Sequence, residues 1–179
     1  HELVRQFAAN HLQEDVQDEY ATGSRHAAYY LMQLQKAQSA LQGTQQKEAL
    51  AKLNHKIDNI RAAWEFATCN LRLDLIQQAA WPLWYFYELS NYFQEGERLM
   101  VRGSEVVRAK LDSHEPDILP EELQRIEGIL GDLLAHRAFF CLRMGRNIEA
   151  VTHLEASIVL LRPLNEPASL AHALAHYGL

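Results

Sequence analysis

The chain has 179 residues, 48% of them apolar, and 17 Lys plus Arg against 23 Asp plus Glu leave a net charge of −6. This composition excludes a disordered chain, because there is enough apolar surface to build the core of about one domain. The acidic balance argues against a nucleic-acid surface, which needs a basic face. Two cysteines are too few for a disulfide-stapled secreted domain, and no apolar run reaches the roughly 20 residues of a membrane helix. We therefore expect a cytoplasmic protein without membrane or direct nucleic-acid contacts.

The N-terminal half of the chain has helical periodicity and no alternating strand pattern. Apolar residues at spacings of three and four predict one amphipathic helix over Ala27–Leu41 and another over Leu50–Ala67. Gly43 can end the first helix, and Thr44 can cap the second. Because the break is short, we expect residues 21–70 to form an antiparallel helical hairpin.

The next stretch of the chain is predicted to hold two helices and a loop. The segment from Leu71 to Leu89 is apolar on most sides, which is typical of a buried helix, and Pro82 is expected to kink or divide it. A further helix begins near Gln94 and completes a first repeat over residues 71–111. Residues 112–120 contain two prolines and are predicted to form a linker loop.

The C-terminal third of the chain is predicted to be helical throughout. Pro120 and the two glutamates after it suit the first turn of a helix, which Gly145 ends. Another helix follows over residues 147–162, and the last begins near Ala168 and is predicted to continue to the end of the chain. We expect residues 121–179 to be a second repeat and the start of a third, truncated from a longer protein.

Two of these helix pairs share a spacing of small and aromatic residues. Trp84 precedes Gly96 by twelve residues, as Ala138 precedes Ala150. This pattern resembles tetratricopeptide repeats, and the matching residues are Ala138, Gly145, Ala150, Leu154 and Tyr177-Gly178. The resemblance implies an all-α fold of antiparallel helix pairs stacked as a right-handed solenoid.

Three motifs occur in a fixed order, Arg25–Leu31, Asp58–Trp64 and Tyr92–Gly96. In this order they resemble the region that follows the ATPase core in bacterial signal-transduction ATPases with numerous domains, many of which are transcriptional regulators. Residues 1–20 resemble the end of the winged-helix element that precedes that region. The resemblance implies a helical sensor arm attached to an ATPase core in the same parent chain. The chain has no phosphate-binding-loop motif, so we expect it not to be an enzyme by itself.

The repeat register indicates which side chains face the concave groove of such a solenoid. Trp84 and Tyr87 are predicted to pack inward, and Ala135 is placed on the groove. The candidate binding residues on the groove are Gln78, Trp81, Tyr85, Glu88, Asp132, Phe139, Arg143 and His172. We expect this surface to bind a protein or peptide partner, or a small-molecule effector. The alternative is a constitutive scaffold for protein–protein interaction that senses no ligand.

Other polar groups have a structural interpretation. His172 and His176 are spaced like metal ligands on a helix, but no third ligand can be named, so we expect ordinary packing positions and neither a metal nor a cofactor. The polar residues from Asp58 to Arg61 are expected to form local or inter-helix contacts. Cys69 and Cys141 lie in apolar helical contexts and are therefore predicted to be buried reduced thiols, and neither has an evident base partner. No catalytic residue is predicted.

Overall fold

The computed structural model describes residues 16–113, 118–164 and 167–178. Within these ranges the regular structure is helical and no residue is in a strand, which confirms the all-α prediction. The helices, numbered in chain order, are α1 Val16–Lys36, α2 Gln38–Gln42, α3 Gln46–Asn54, α4 Ile57–Cys69, α5 Leu73–Leu89, α6 Phe93–Asp112, α7 Pro120–Arg143, α8 Asn147–Leu161 and α9 Pro167–Tyr177.

The helix predicted over Leu50–Ala67 is in fact two helices. α3 ends at Asn54, and the backbone N–H of Lys56 donates to the carbonyl of Leu53 at 2.8 Å before α4 begins. This tight turn keeps Leu53 and Ile60 both in the core, so the apolar spacing continues across the break and conceals it. Thr44 does not cap α3, because Gln45 occupies the N-cap position and makes no side-chain capping bond.

The predicted division of α5 does not occur, since Pro82 lies inside a continuous helix. A proline removes one backbone hydrogen bond, but its neighbours Ala79, Leu83 and Phe86 are fully buried and their packing stabilises the helix on both sides.

The predicted loop is confirmed at both of its edges. α6 ends at Asp112, and α7 begins with Pro120 in its first turn. The last helix ends at Tyr177 instead of continuing to the end of the chain. Residues 1–15, which carry most of the predicted winged-helix element, lie outside the described residues.

Three of the connections between helices have the same backbone geometry. The residues Leu71, Asn91 and Gly145 have φ values of 49°, 58° and 75°, in the left-handed region. In each turn the next N–H donates back to a carbonyl five residues earlier, as from Arg72 to Ala67 at 2.8 Å. The equivalent distances after α5 and α7 are 3.1 and 2.9 Å. This is the Schellman motif, which satisfies the last carbonyls of a helix and reverses the chain within three residues.

Helices joined by these turns are antiparallel, as the α7–α8 pair shows. At the middle of α7, Gly131 lies against Leu161 at the end of α8. Near the end of α7, Ala138 and Cys141 pack in one cluster with Ala150 and Leu154 from α8. α6 and α7 are also antiparallel, because Gly96 contacts Phe140 near the end of α7, whereas Gly103, further along α6, contacts the earlier Leu133.

A row of parallel helices is formed by α1, α5, α7 and α9. Ser24 and Gln35 of α1 bond to Arg72 and Gln78, at the start and the middle of the α5 segment. Further along the row, the Arg125 guanidinium of α7 donates to Gln77 of α5 at 3.0 Å. α9 continues the row, because its rings at 172 and 176 contact those of α7 at 136 and 139.

A second row begins with α4 and α6, which are also parallel. The indole N–H of Trp64 in α4 donates to the carbonyl of Leu99 in α6 at 3.0 Å. The main core lies between the two rows, where Trp64, Tyr87 and Phe140 are fully buried. The first row, α1, α5, α7 and α9, is the one that carries all eight predicted groove residues.

Candidate functional site

Three helices of the first row contribute to one group of rings. α5 contributes three aromatic side chains, α7 contributes two rings and α9 contributes two imidazoles. We call this group the aromatic–histidine cluster, and its members are Trp81, Trp84, Tyr85, His136, Phe139, His172 and His176.

Trp84 lies at the centre of the aromatic–histidine cluster. Its indole stacks on the His136 imidazole at 5.1 Å between ring centroids, with 18° between the ring planes. Phe139 and His172 meet the indole edge-on at 5.1 and 4.8 Å. Trp84 is 5% exposed, so the prediction that it packs inward is confirmed, and two of its ring contacts, Phe139 and His172, were predicted to lie on the groove. One buried indole therefore joins three helices.

The outer part of the cluster is more accessible. The rings of Trp81 and Tyr85 are one helical turn apart on α5 and stack at 4.9 Å, and both are partly exposed. Phe139 is only 8% exposed, because it packs between Trp84 and the His176 ring. The accessible aromatic surface is therefore smaller than the sequence predicted.

Several polar atoms of the cluster are buried without a hydrogen-bond partner. They are the indole Nε1 of Trp84 and the Nδ1 atoms of His136 and His176. Leaving a buried donor unpaired costs about 1–3 kcal/mol, and most buried polar atoms in proteins are paired. These three atoms are therefore polar groups that the fold leaves unpaired inside the cluster.

The three histidines are neutral at ordinary pH. Burial lowers the pKa of His136 well below its usual value, and the two neighbouring imidazoles add to the effect. Burial also lowers the pKa of His172 to about 4, with a smaller contribution from His176, whose own pKa is lowered by burial as well. Each ring therefore presents one N–H donor and one lone pair.

The remaining predicted groove residues lie around this cluster. Gln78 donates to the side chain of Gln35 across α5 and α1, and Asp132 is half-buried on α7. The Arg143 guanidinium lies 4.8 Å from the centre of the Phe93 ring. Burial raises the pKa of Glu88, and the charge of Arg143 partly opposes that rise. Polar and charged groups thus flank the rings about one turn before and one turn after them along α5 and α7.

Ala135 was placed on the groove, and that prediction is wrong. It is 1% exposed and packs with Ile158, Leu161 and Ala173 between α7, α8 and α9. The reason is that α9 lies close to α7 and covers this position. The repeat register describes one pair of helices and therefore does not include a third.

His136 and His176 belong to the cluster but were not among the predicted groove residues. His136 precedes Phe139 by three residues and His176 follows His172 by four, so helical spacing places each pair on one face. The spacing within each helix does not show that Trp84 of α5 lies between these two pairs.

The polar motif around Arg61 is structural, as predicted. Its guanidinium donates to Asp58 at 2.8 Å and to Glu95 at 2.7 Å, and it also donates to the Tyr87 hydroxyl at 3.1 Å. Burial raises the pKa of Tyr87 to about 12, although the nearby guanidinium partly opposes that rise. This network joins α4, α5 and α6.

The two cysteines differ from each other. Cys141 is fully buried, and burial with the nearby Glu97 carboxylate raises the pKa of its thiol to about 11. Cys69 is exposed at the end of α4, with its sulfur 3.7 Å from the Arg102 guanidinium, so its predicted burial is wrong. The apolar stripe of α4 passes through Ala67 and leaves position 69 on the solvent side.

A separate open cavity of about 550 Å³ lies between α1 and α4, far along the row from the cluster. Its lining residues are Glu19, Tyr20, Thr22, Gly23, His26, Phe66 and Asn70.

The described ranges contain neither a metal-binding group of three side chains nor a helix that could cross a membrane. Among those residues, no group of three or more His, Cys, Asp or Glu side chains is placed to hold one metal ion. Within the same ranges, no helix has the length and apolar character needed to cross a membrane.

The chain was also compared with known proteins. No protein-family model matches it, and no curated protein is significantly similar to it.

Proposed function

We propose that this chain is a helical-repeat arm that binds a protein or peptide partner, or a small effector, on the face formed by α5, α7 and α9. The observation that carries the proposal is the aromatic–histidine cluster, where partly exposed rings border buried polar atoms without partners. Binding surfaces are commonly apolar with a few convergent polar groups. The row of parallel helices supports a tetratricopeptide-like right-handed solenoid, in which one row lines the concave side.

In this proposal the arm belongs to a cytoplasmic bacterial signalling ATPase, of the transcriptional-regulator type. The basis is the order of the three motifs that resemble that class. The contacts of Arg61, which belongs to the second motif, stabilise the packing of α4, α5 and α6. A ligand on the row would control the ATPase only through different affinities for two arrangements of the arm.

The proposal is tested by thermal unfolding of the chain in the presence of small effectors and of peptide pools. A ligand that binds only the folded state raises the unfolding midpoint, by an amount set by its concentration relative to its dissociation constant. We expect Trp81→Ala and Arg143→Ala to abolish the shift of a true ligand. The matched control is Lys47→Ala, since Lys47 is exposed on α3, outside the row.

A ligand whose shift survives both groove variants would contradict the proposed surface. A constitutive scaffold is the second candidate, and the exposed apolar residues of α8, Ile148 at 86% and Val159 at 71%, favour it. A scaffold would bind a protein partner irrespective of nucleotide in the parent protein. A phosphate-binding loop elsewhere in the full-length gene would support the switch instead.

A further inference from the structure

Two imidazoles of α9 converge on one point. His172 and His176 are four residues apart, and their Nε2 atoms are 3.1 Å from each other. The rings are nearly perpendicular, at 88°, with centroids 4.4 Å apart. Packing alone requires only that ring faces and edges touch, whereas here the two ring nitrogens meet. Two nitrogens at such a separation can both reach one metal ion at the usual Zn–N distance of about 2.1 Å.

We propose that His172 and His176 chelate one divalent transition-metal ion, of the Zn²⁺, Ni²⁺ or Cu²⁺ class, through their Nε2 atoms. Neutral imidazole suits these ions, whereas Mg²⁺ and Ca²⁺ prefer oxygen ligands. In the metal-free pair, one Nε2–H donates to the other Nε2. Chelation requires both lone pairs, so the proton of that nitrogen is released to water while the same ring takes a proton on its Nδ1.

The neighbouring residues hold the pair in place before any ion binds. The His172 ring is held edge-on against Trp84 at 4.8 Å and against His136 at 5.3 Å. Phe139 packs on the His176 ring at 4.9 Å. Between the two histidines, Ala173 is fully buried against α7 and α8 and anchors α9. Fixed rotamers reduce the ordering cost of forming the chelate.

The site has two protein ligands and is therefore open. No third side chain among the described residues completes the shell. Both histidines are partly exposed, so water or a group of a bound partner can occupy the other positions. A site with open positions can recruit a ligand as well as an ion. The inference does not depend on the proposed function.

The test is a titration of the full chain with Cu²⁺, with Zn²⁺ as the second probe. Cu²⁺ bound at this pair is close enough to Trp84 to quench its fluorescence, and electron paramagnetic resonance of the bound Cu²⁺ counts the nitrogen ligands directly. We expect saturable quenching and a nitrogen pattern of at least two imidazoles. Zn²⁺ should raise the unfolding midpoint, and acid should abolish both effects because protons compete for the same lone pairs.

The variants His172→Asn and His176→Asn are each expected to weaken the quenching site by about tenfold or more, because a single imidazole loses the chelate effect. His55→Asn is the matched control, since His55 is exposed next to α3 and has no histidine neighbour on the next turn.

The proposal is overturned if the double variant His172→Asn/His176→Asn binds Cu²⁺ and Zn²⁺ as tightly as the wild type. It is also overturned if the resonance spectrum of the unaltered chain shows fewer than two imidazole nitrogens. The second measurement needs no substitution, so it decides the question even if a variant fails to fold.

Discussion

At the residue scale, the three left-handed positions show how different side chains serve one turn. Gly145 adopts φ of 75° at no steric cost, and Asn91 tolerates its φ of 58°. Leu71 has a φ of 49° and a side chain that is 41% exposed. A leucine there is strained by contact between its Cβ and the backbone, and little burial offsets that strain.

Leu71→Gly is therefore expected to stabilise the fold by about 1 kcal/mol, which is the left-handed strain less the greater unfolded-state entropy of glycine. The measurement is urea unfolding followed by circular dichroism. Leu123→Gly is the control, because Leu123 is similarly exposed but lies within α7, where glycine costs about 0.5–1 kcal/mol. A lower urea midpoint for Leu71→Gly would show that the turn is unstrained.

At the element scale, close helix contact depends on glycines where two backbones approach. A Cβ on Gly96 of α6 would lie 2.5 Å from the Phe140 ring of α7 and 2.9 Å from Cβ of Tyr87 in α5. Gly131 of α7 has the same role toward Leu161 of α8, and its carbonyl accepts a 2.7 Å hydrogen bond from the buried Ser157 hydroxyl. These contacts set the distance between neighbouring helices.

Gly96→Ala is expected to destabilise the protein by about 1–3 kcal/mol, because Tyr87 and Phe140 are fully buried and cannot move away without strain. Differential scanning calorimetry measures the effect as a lower unfolding temperature. Gly178→Ala introduces the same methyl group where the nearest atom is 3.7 Å away, and it should change the temperature little. Equal shifts for the two variants would mean that α6 and α7 can separate freely.

At the scale of the whole molecule, the neutral histidines of the cluster make the docking of α9 sensitive to acid. The imidazoles of His136, His172 and His176 face one another, and the groups nearest to them on α5 and α7 are aromatic rings. The charged neighbours at the border of the row are Glu88, Asp132 and Arg143. Protonated imidazoles would repel one another and would lose solvation in this position.

We expect stability to fall as the pH is lowered from about 6.5, the unfolded histidine value. The folded pKa of His172 is about 4, so the unfolded chain binds protons first and the loss continues down to that pH. His172→Leu should make urea midpoints less dependent on pH in this window. His55→Leu should keep the wild-type dependence, since His55 is exposed. A flat wild-type profile between pH 7 and 4 would be the contrary result.

The positions of most helices follow from local patterns in the sequence. Amphipathic spacing, Pro120 with its two glutamates, and Gly145 each act within one or two turns of a helix, so the bounds of α6, α7 and α8 agree with the prediction within two residues. The break at His55 was not predictable in this way, because apolar residues continue on the same stripe across it. Pro82 is the opposite case, where a local signal for a break is overcome by burial on both sides.

The candidate site also has one part that is determined within single helices and another that is determined by their packing. The sequence by itself determined that α5, α7 and α9 each carry rings on one face, because helical periodicity is a property of a single segment. Which rings meet was decided only by the tertiary structure, since residues far apart in the chain are brought together by the packing of parallel helices. Trp84 between His136 and His172, and Ala135 beneath α9, depend on how closely three helices approach. The side chains of all three helices together set that distance, so the sequence of any one helix does not determine it.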